Sequence, residues 1–131
     1  MSEYILRGLS HIGLRSHKPQ ESCDFYINNF GFQMYYRHLI NGLDCWFIER
    51  GGLVLEFVDD GKVHEDGDGM IYHIALEVCG IEGLVEELKA KGVLPEDAEI
   101  ATHTDFFPSG KKNLFFRGPM GEMIELFELA S

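Results

Sequence analysis

The sequence predicts an α+β fold made of two β-α-β-β-β modules, whose cupped mixed sheets each carry a helix on the outer face. Three observations carry that prediction. A strand pattern of period two passes into an amphipathic helix pattern twice, once on either side of an acidic, glycine-rich stretch. Turn signals separate several short strand candidates after each helix, and similar residues recur at matching places of the two halves.

Residues Leu9 to Ser16 form the first strand candidate, with Ile12 and Leu14 on one side and Leu9, His11, Gly13 and Arg15 on the other. Pro19 suits the first turn of a helix over Gln20 to Phe30, and Gly31 suits its left-handed cap. Phe32 to Leu39, Leu43 to Glu49 and Leu53 to Val58 are rich in aromatic and branched residues and read as strands. Asn41-Gly42 and Gly51-Gly52 join them as hairpin turns. Asp59 to Gly69 reads as a solvated connector. Beyond it, Tyr72, Ile74, Leu76 and Val78 alternate with His73, Ala75 and Glu77 as a half-buried strand. A helix follows with Ile81, Leu84, Val85 and Leu88 on one face, a Glu87 to Lys91 pair, and Gly92 as its stop. Ala98 to Thr104, Asn113 to Arg117 and Glu122 to Glu128 complete the strands, with Phe107-Pro108-Ser109-Gly110 and Gly118-Pro119-Met120-Gly121 between them. Ser10-His11-Ile12-Gly13-Leu14 aligns with Tyr72-His73-Ile74-Ala75-Leu76, and Gly52 to Phe57 aligns with Gly121 to Leu126. The chain, 1–131, is expected to be a single domain of two repeats, about residues 7–60 and 70–129.

The 131 residues are enough for one domain with a substantial apolar interior. A formal net charge of -11 repels nucleic acid and anionic lipid over most of the surface, which leaves a small molecule as the expected partner. An anion would bind only where a local Arg or Lys overrules that field. Three cysteines without CxxC spacing, Cys23, Cys45 and Cys79, indicate neither a disulfide framework nor a zinc knuckle and are expected to be reduced core fillers. The sequence shows no signal peptide and no membrane span, so a soluble cytoplasmic protein is expected.

Each half opens with a strand histidine and closes with a strand glutamate: His11 and Glu56, then His73 and Glu125. Alternation places all four opposite the apolar residues that face the helices. A strand histidine or glutamate taken singly is more often satisfied or solvated than functional. Recurrence at matching places of both halves favours a shared purpose. A carboxylate within Val54-Leu55-Glu56-Phe57-Val58 loses hydration and calls for a cation, a hydrogen-bond network or a proton. Two imidazoles and two carboxylates suit a divalent metal with positions left for water or substrate.

These residues resemble the vicinal oxygen chelate superfamily, the glyoxalase, bleomycin-resistance and extradiol-dioxygenase relatives. The resemblance runs from His11-Ile12-Gly13-Leu14 through Asp24-Phe25-Tyr26 and Gly31-Phe32 to Tyr72-His73-Ile74-Ala75-Leu76 and Ile124-Glu125-Leu126. The order His11, Glu56, His73, Glu125 is most similar to glyoxalase I (lactoylglutathione lyase), in which the corresponding residues are metal ligands. Epimerases of the methylmalonyl-CoA type usually have Gln at the second place, and extradiol dioxygenases and fosfomycin-type enzymes use a His-His-Glu set.

The resemblance implies a metal-dependent lyase or isomerase that moves a proton on a small carbonyl or hemithioacetal through an enediolate. Glu125, and after it Glu56, is the implied catalytic base, and Arg15 the implied contact for a glutathione carboxylate. It further implies nickel or zinc as the divalent ion, glutathione as a candidate co-substrate, and a homodimer with shared sites. Cobalt, manganese and iron suit the same donor set. Two departures stand out: Asp60 replaces a common Asn, and Gly118-Pro119-Met120-Gly121 replaces Asp-Pro-Asp-Gly. A non-catalytic drug- or metabolite-binding protein, an epimerase and a dioxygenase are the alternatives. Glu77 is expected to be solvated, as are Lys111 and Lys112. Core packing is the expected role for most of Tyr35, Tyr36, Trp46, Phe106, Phe107, Phe115 and Phe116.

Overall fold

The computed structural model describes residues 9–64, 73–104 and 109–130. The chain divides into two compact units, Met1–Glu65 and Asp66–Ser131. The first contains β1 (Ile12–Arg15), α1 (Pro19–Phe30), β2 (Gln33–Ile40), β3 (Leu43–Arg50) and β4 (Leu53–Asp59). The second contains β5 (Ile74–Glu77), α2 (Ile81–Ala90), β6 (Ala101–His103), β7 (Lys111–Arg117) and β8 (Met123–Leu129). The sheet orders are β1-β4-β3-β2 and β5-β8-β7-β6. In each, the first strand runs parallel to the last and the other pairings are antiparallel. This is the α+β pair of β-α-β-β-β modules that the sequence predicts.

Each helix buries one stripe on its own sheet. In α1 the stripe is Pro19, Ser22, Cys23 and Tyr26, spaced i, i+3, i+4, i+7. Tyr26, fully buried, packs on Phe57 and Phe32 with ring centroids 5.5 and 5.7 Å away. Lys18 at the N-cap supplies no side-chain bond; instead its N–H donates to Ser16 Oγ, which is itself bonded to Ser22 Oγ at 2.8 Å. Gly31 ends the helix with φ 73°, the left-handed conformation in which a glycine carries no Cβ penalty. In α2 the buried stripe is Ile81, Val85 and Leu88. Glu128 on β8 accepts the Ile81 N–H at 2.9 Å, a carboxylate at the positive end of the helix. The Glu87 to Lys91 pair forms at 3.5 Å.

The other turns follow the sequence signals closely. Asn41 and Gly42 both take positive φ, 50° and 80°, as a two-residue hairpin of right-handed strands requires. Between Met34 and Tyr36 the β2–β3 register shifts, so Tyr35 forms a bulge.

Several expectations need correction. The strand expected over Ala98 to Thr104 is only Ala101–His103, because a turn closed by Ala98 N–H on Pro95 O at 3.1 Å consumes its start. The strand expected from Asn113 begins at Lys111, so Lys111 and Lys112 belong to a strand and do not form a solvated loop end. Tyr35, Tyr36 and Phe115 are exposed and do not pack in the core. Cys23 and Cys45 are buried, whereas Cys79 is exposed and fills no core. Glu77 is exposed as expected. Tyr72, Phe106, Phe107, Pro108 and the end of the connector lie outside the described residues. Among the described residues no helix is long and apolar enough to cross a membrane.

Burial sets the energetic weight of these positions. Leu126 is fully buried and Leu39 is 67% exposed. Leu126→Ala is expected to lower unfolding free energy by about 2–5 kcal/mol and Leu39→Ala to change it by less than about 0.5 kcal/mol, both read by urea denaturation.

Candidate metal centre

Parallel pairing fixes where the polar residues of each module meet. In the first module Gly13 on β1 stands opposite Glu56 on β4, and Phe47 on β3 flanks Glu56 from the other side. In the second, Ala75 on β5 stands opposite Glu125 on β8, with Phe115 on β7 as the other neighbour. A small residue on one side and a phenylalanine on the other therefore frame both carboxylates. At Gly13 even a methyl group would come within 3.6 Å of Glu56 Oε1.

The histidines sit one residue before the first strand of each module and reach across the small residue to the glutamate. His11 Nε2 lies 3.2 Å from Glu56 Oε1, and His73 Nε2 lies 3.4 Å from Glu125 Oε1. Each imidazole packs edge-on against the neighbouring phenylalanine, His11 on Phe47 at 5.4 Å and His73 on Phe115 at 5.5 Å. The sequence-matched residues thus form the same geometry twice. Two ligands held about 2.0–2.2 Å from one divalent ion stand roughly 3 to 3.4 Å apart, the spacing of both pairs. Imidazole nitrogen with carboxylate oxygen is also a donor set that zinc, nickel, manganese and iron accept. Each pair therefore offers two donors of the kinds such an ion takes, fewer than the three or four of a complete site. Ser10 Oγ lies 3.0 Å from His11 Nδ1, which leaves Nε2 as the nitrogen on the Glu56 side. Among the described residues, neither module gathers three or more His, Cys, Asp or Glu side chains of its own.

The surroundings of the two carboxylates differ. Cys45, on the Phe47 side of β3, lies beside Glu56. Burial first and then Glu56 push that thiol above its ordinary range. The same register position of β7 is Asn113, whose Nδ2 donates to Glu125 Oε2 at 2.8 Å. Lys111 Nζ approaches the same oxygen to 3.7 Å and lies over the Phe127 ring. Glu125 is buried, 5% exposed, and Glu56 is half-buried. Sequence reasoning missed Cys45 and Asn113. The signal was available, because each lies two residues before the phenylalanine that flanks the glutamate, and a period of two puts it on the same face.

The model of the Glyoxalase/Bleomycin resistance protein/Dioxygenase superfamily matches residues 8–126. The chain belongs to this superfamily. Its structure resembles that of a glyoxalase family protein from Enterococcus faecalis, with a TM-score of 0.69, 22% identity, and coverage of 93% of this chain and 98% of that one. It also resembles lactoylglutathione lyase from Agrobacterium tumefaciens, with a TM-score of 0.64, 18% identity, and coverage of 94% of each chain. A mutant of the fosfomycin resistance protein from Listeria monocytogenes, complexed with Mn(II) and dihydroxypropylphosphonic acid, gives a TM-score of 0.66 at 20% identity, covering 93% of this chain and 92% of that one. At these identities the likeness is one of fold. No curated protein sequence matches the chain significantly.

Two further residues bear on what a superfamily member of this kind could hold. Arg15 lies on the Gly13 side of β1, opposite Val58, and is exposed. Asp60, the departure from the usual Asn, is spent on its own turn: its carboxylate bonds His64 Nε2 at 2.8 Å and accepts the Lys62 N–H at 3.0 Å. The His64 contact, followed by the Lys62 N–H, holds its carboxyl below the usual range.

The thiols give a check on this geometry. Burial, then Asp24, pushes Cys23 up to about 12, and Cys45 is raised as described. Of the three cysteines, only Cys79 is exposed, so one thiol per chain should react with Ellman's reagent in native buffer and three in urea. Rapid reaction of Cys45 in the native protein would contradict its place beside Glu56.

Proposed function

We propose that the protein is a divalent-metal-dependent lyase or isomerase of the glyoxalase I type, acting on the hemithioacetal of a small carbonyl compound and a thiol. The observation that carries this reading is the repeated pair, His11 with Glu56 and His73 with Glu125, at ligand-to-ligand spacing in both modules. Two ligands are fewer than the three or more protein ligands that catalytic centres use, so in this reading all four residues act as one set, completed in a homodimer with shared sites. Nickel or zinc is the proposed ion. A carboxylate at the second place, Glu56, favours glyoxalase chemistry over the epimerase and dioxygenase alternatives.

A bound divalent ion would polarise the substrate carbonyl and stabilise the charge that develops on its oxygens. The rest of the work falls to the chain. His11 and His73 hold their places against Phe47 and Phe115. One glutamate takes the proton from the carbon bearing sulfur and returns it to the neighbouring carbon, a transfer that contributes about 10² to 10⁴ in rate. The phenylalanine beside each glutamate flanks one side of the carboxylate. Arg15 would meet a carboxylate of the thiol, with glutathione as the candidate; Asp60, bonded to His64 and the Lys62 N–H, is a negative charge that would repel such a carboxylate.

Chelator-stripped protein should take up a divalent ion stoichiometrically and melt higher with nickel or zinc. His11→Ala and His73→Ala should each abolish that uptake, and light scattering should return a dimer mass. With the ion bound, methylglyoxal should turn over only when glutathione is present. Glu125→Gln and Glu56→Gln identify the base, whose replacement should lower kcat about 10²- to 10⁴-fold. Protein that binds no ion and shows no shift in melting would overturn the enzymatic reading in favour of a binding protein.

A further inference from the structure

We infer that Tyr36 and His38 form a platform in the first module for an aromatic group on the substrate, which makes the carbonyl compound an aryl 2-oxoaldehyde with a hydrogen-bond acceptor on its ring. This rests on the glyoxalase-type reading above and names the substrate class within it.

Strand register lays the platform out. On the face of the first sheet that α1 does not cover, Tyr36, Phe47, Glu56 and Gly13 stand opposite one another in turn and make one row across all four strands. Two residues further along each strand, His38, Cys45, Val58 and Arg15 make the next row. Rings run outward from the His11 and Glu56 pair towards β2. His11 meets Phe47 with centroids 5.4 Å apart, Phe47 meets Tyr36 at 5.9 Å, and Tyr36 stacks on His38 at 5.9 Å with 13° between the planes. Tyr36 is 53% exposed and His38 is exposed, so the outer half of this run offers its rings to a ligand.

The second module lacks that outer half. β6 extends only from Ala101, opposite Asn113, to His103, opposite Lys111, so among the described residues no strand residue stands beside Phe115. Histidine, glutamate and phenylalanine recur in both modules without the added rings, which therefore serve something other than holding the pair.

The chemistry of these side chains selects the group they take. A substituent that points from the His11 and Glu56 pair towards β2 passes over Phe47 and meets Tyr36, where edge-to-face or offset packing favours an aromatic ring over a methyl. The Tyr36 hydroxyl lies 3.3 Å from His38 Nδ1. With that hydroxyl donating to Nδ1, the imidazole proton is on Nε2, a donor for an oxygen at the far end of the ring. Arg15 ends the second row on β1, the opposite side, where it is left to the thiol's carboxylate. The rows thus orient the hemithioacetal, thiol towards β1 and aryl group towards β2.

The test uses 2-hydroxy acids, whose vicinal oxygens stand in for those of the substrate, in calorimetric titrations of the zinc-loaded full chain. 4-Hydroxymandelate should bind about 10-fold more tightly than lactate. Tyr36→Ala should lower that ratio about 2- to 10-fold, and Tyr36→Phe, which keeps the ring, should hold it within about twofold. His38→Ala should lower the preference for 4-hydroxymandelate over mandelate about 2- to 10-fold. Leu39→Ala, on the opposite face of β2 beside Asp44, should leave both ratios unchanged. Equal affinity for 4-hydroxymandelate and lactate, or ratios that survive both Tyr36→Ala and His38→Ala, would overturn the platform. In a chain that takes up no zinc, the same titrations of the metal-free protein decide by the same two results. The expected binding pattern without turnover of 4-hydroxyphenylglyoxal and glutathione would sustain the platform and overturn only the glyoxalase chemistry.

Discussion

In each module the first strand lies in parallel beside the last, β1 beside β4 and β5 beside β8, and the candidate metal centre depends on that pairing. Parallel neighbours cannot be joined by a tight turn, so the chain leaves through a helix and returns through three antiparallel strands. The helix covers one face of the sheet with an apolar stripe, and the other face is left for polar residues. A histidine just ahead of the first strand and a glutamate in the middle of the last are more than 40 residues apart along the chain but adjacent on that open face. Gly13 and Ala75, the residues between them, are small enough to let the two side chains meet. A larger side chain at either position would stand where the imidazole reaches over to the carboxylate.

Duplication of this unit makes a comparison possible within one chain. The phenylalanines, the histidines and the glutamates agree between modules to within a few tenths of an ångström in their mutual distances. What differs is the group behind the carboxylate, a thiol at Cys45 against an amide at Asn113 reinforced by Lys111.

Much of this was legible in the residues alone. Strict alternation in β5, the hairpin dipeptides Asn41-Gly42 and Gly51-Gly52, and the cap at Gly31 are local signals, and the elements they mark stand where the sequence put them. His11, Glu56, His73 and Glu125 stood out for another reason, the recurrence of both residue types in a repeat; that they meet as two pairs, His11 with Glu56 and His73 with Glu125, was not legible, because it follows from the parallel strand pairing. Cys45, Asn113 and Lys111 did not stand out, because their importance depends on register: which residue of β3 or β7 lies diagonal to a glutamate is decided by cross-strand pairing and not by any local preference. The short β6 shows the same limit, since the turn that consumes its expected start depends on a backbone bond from Ala98 to Pro95. The exposed Tyr35 and Tyr36 were misjudged because aromatic content alone does not say which side of an outer strand a ring will face.

The bulge at Tyr35 has a consequence for solubility. β2 is the outermost strand of its sheet order, eight residues long, with Met34, Tyr35, Tyr36 and Leu39 exposed along it. A flat strand of that composition would be an open template for intermolecular pairing and aggregation. The extra residue breaks the even spacing of backbone donors and acceptors near its start, and the Arg37 pair with Asp44 adds charge further along. Together they blunt an adhesive edge without removing the rings from it.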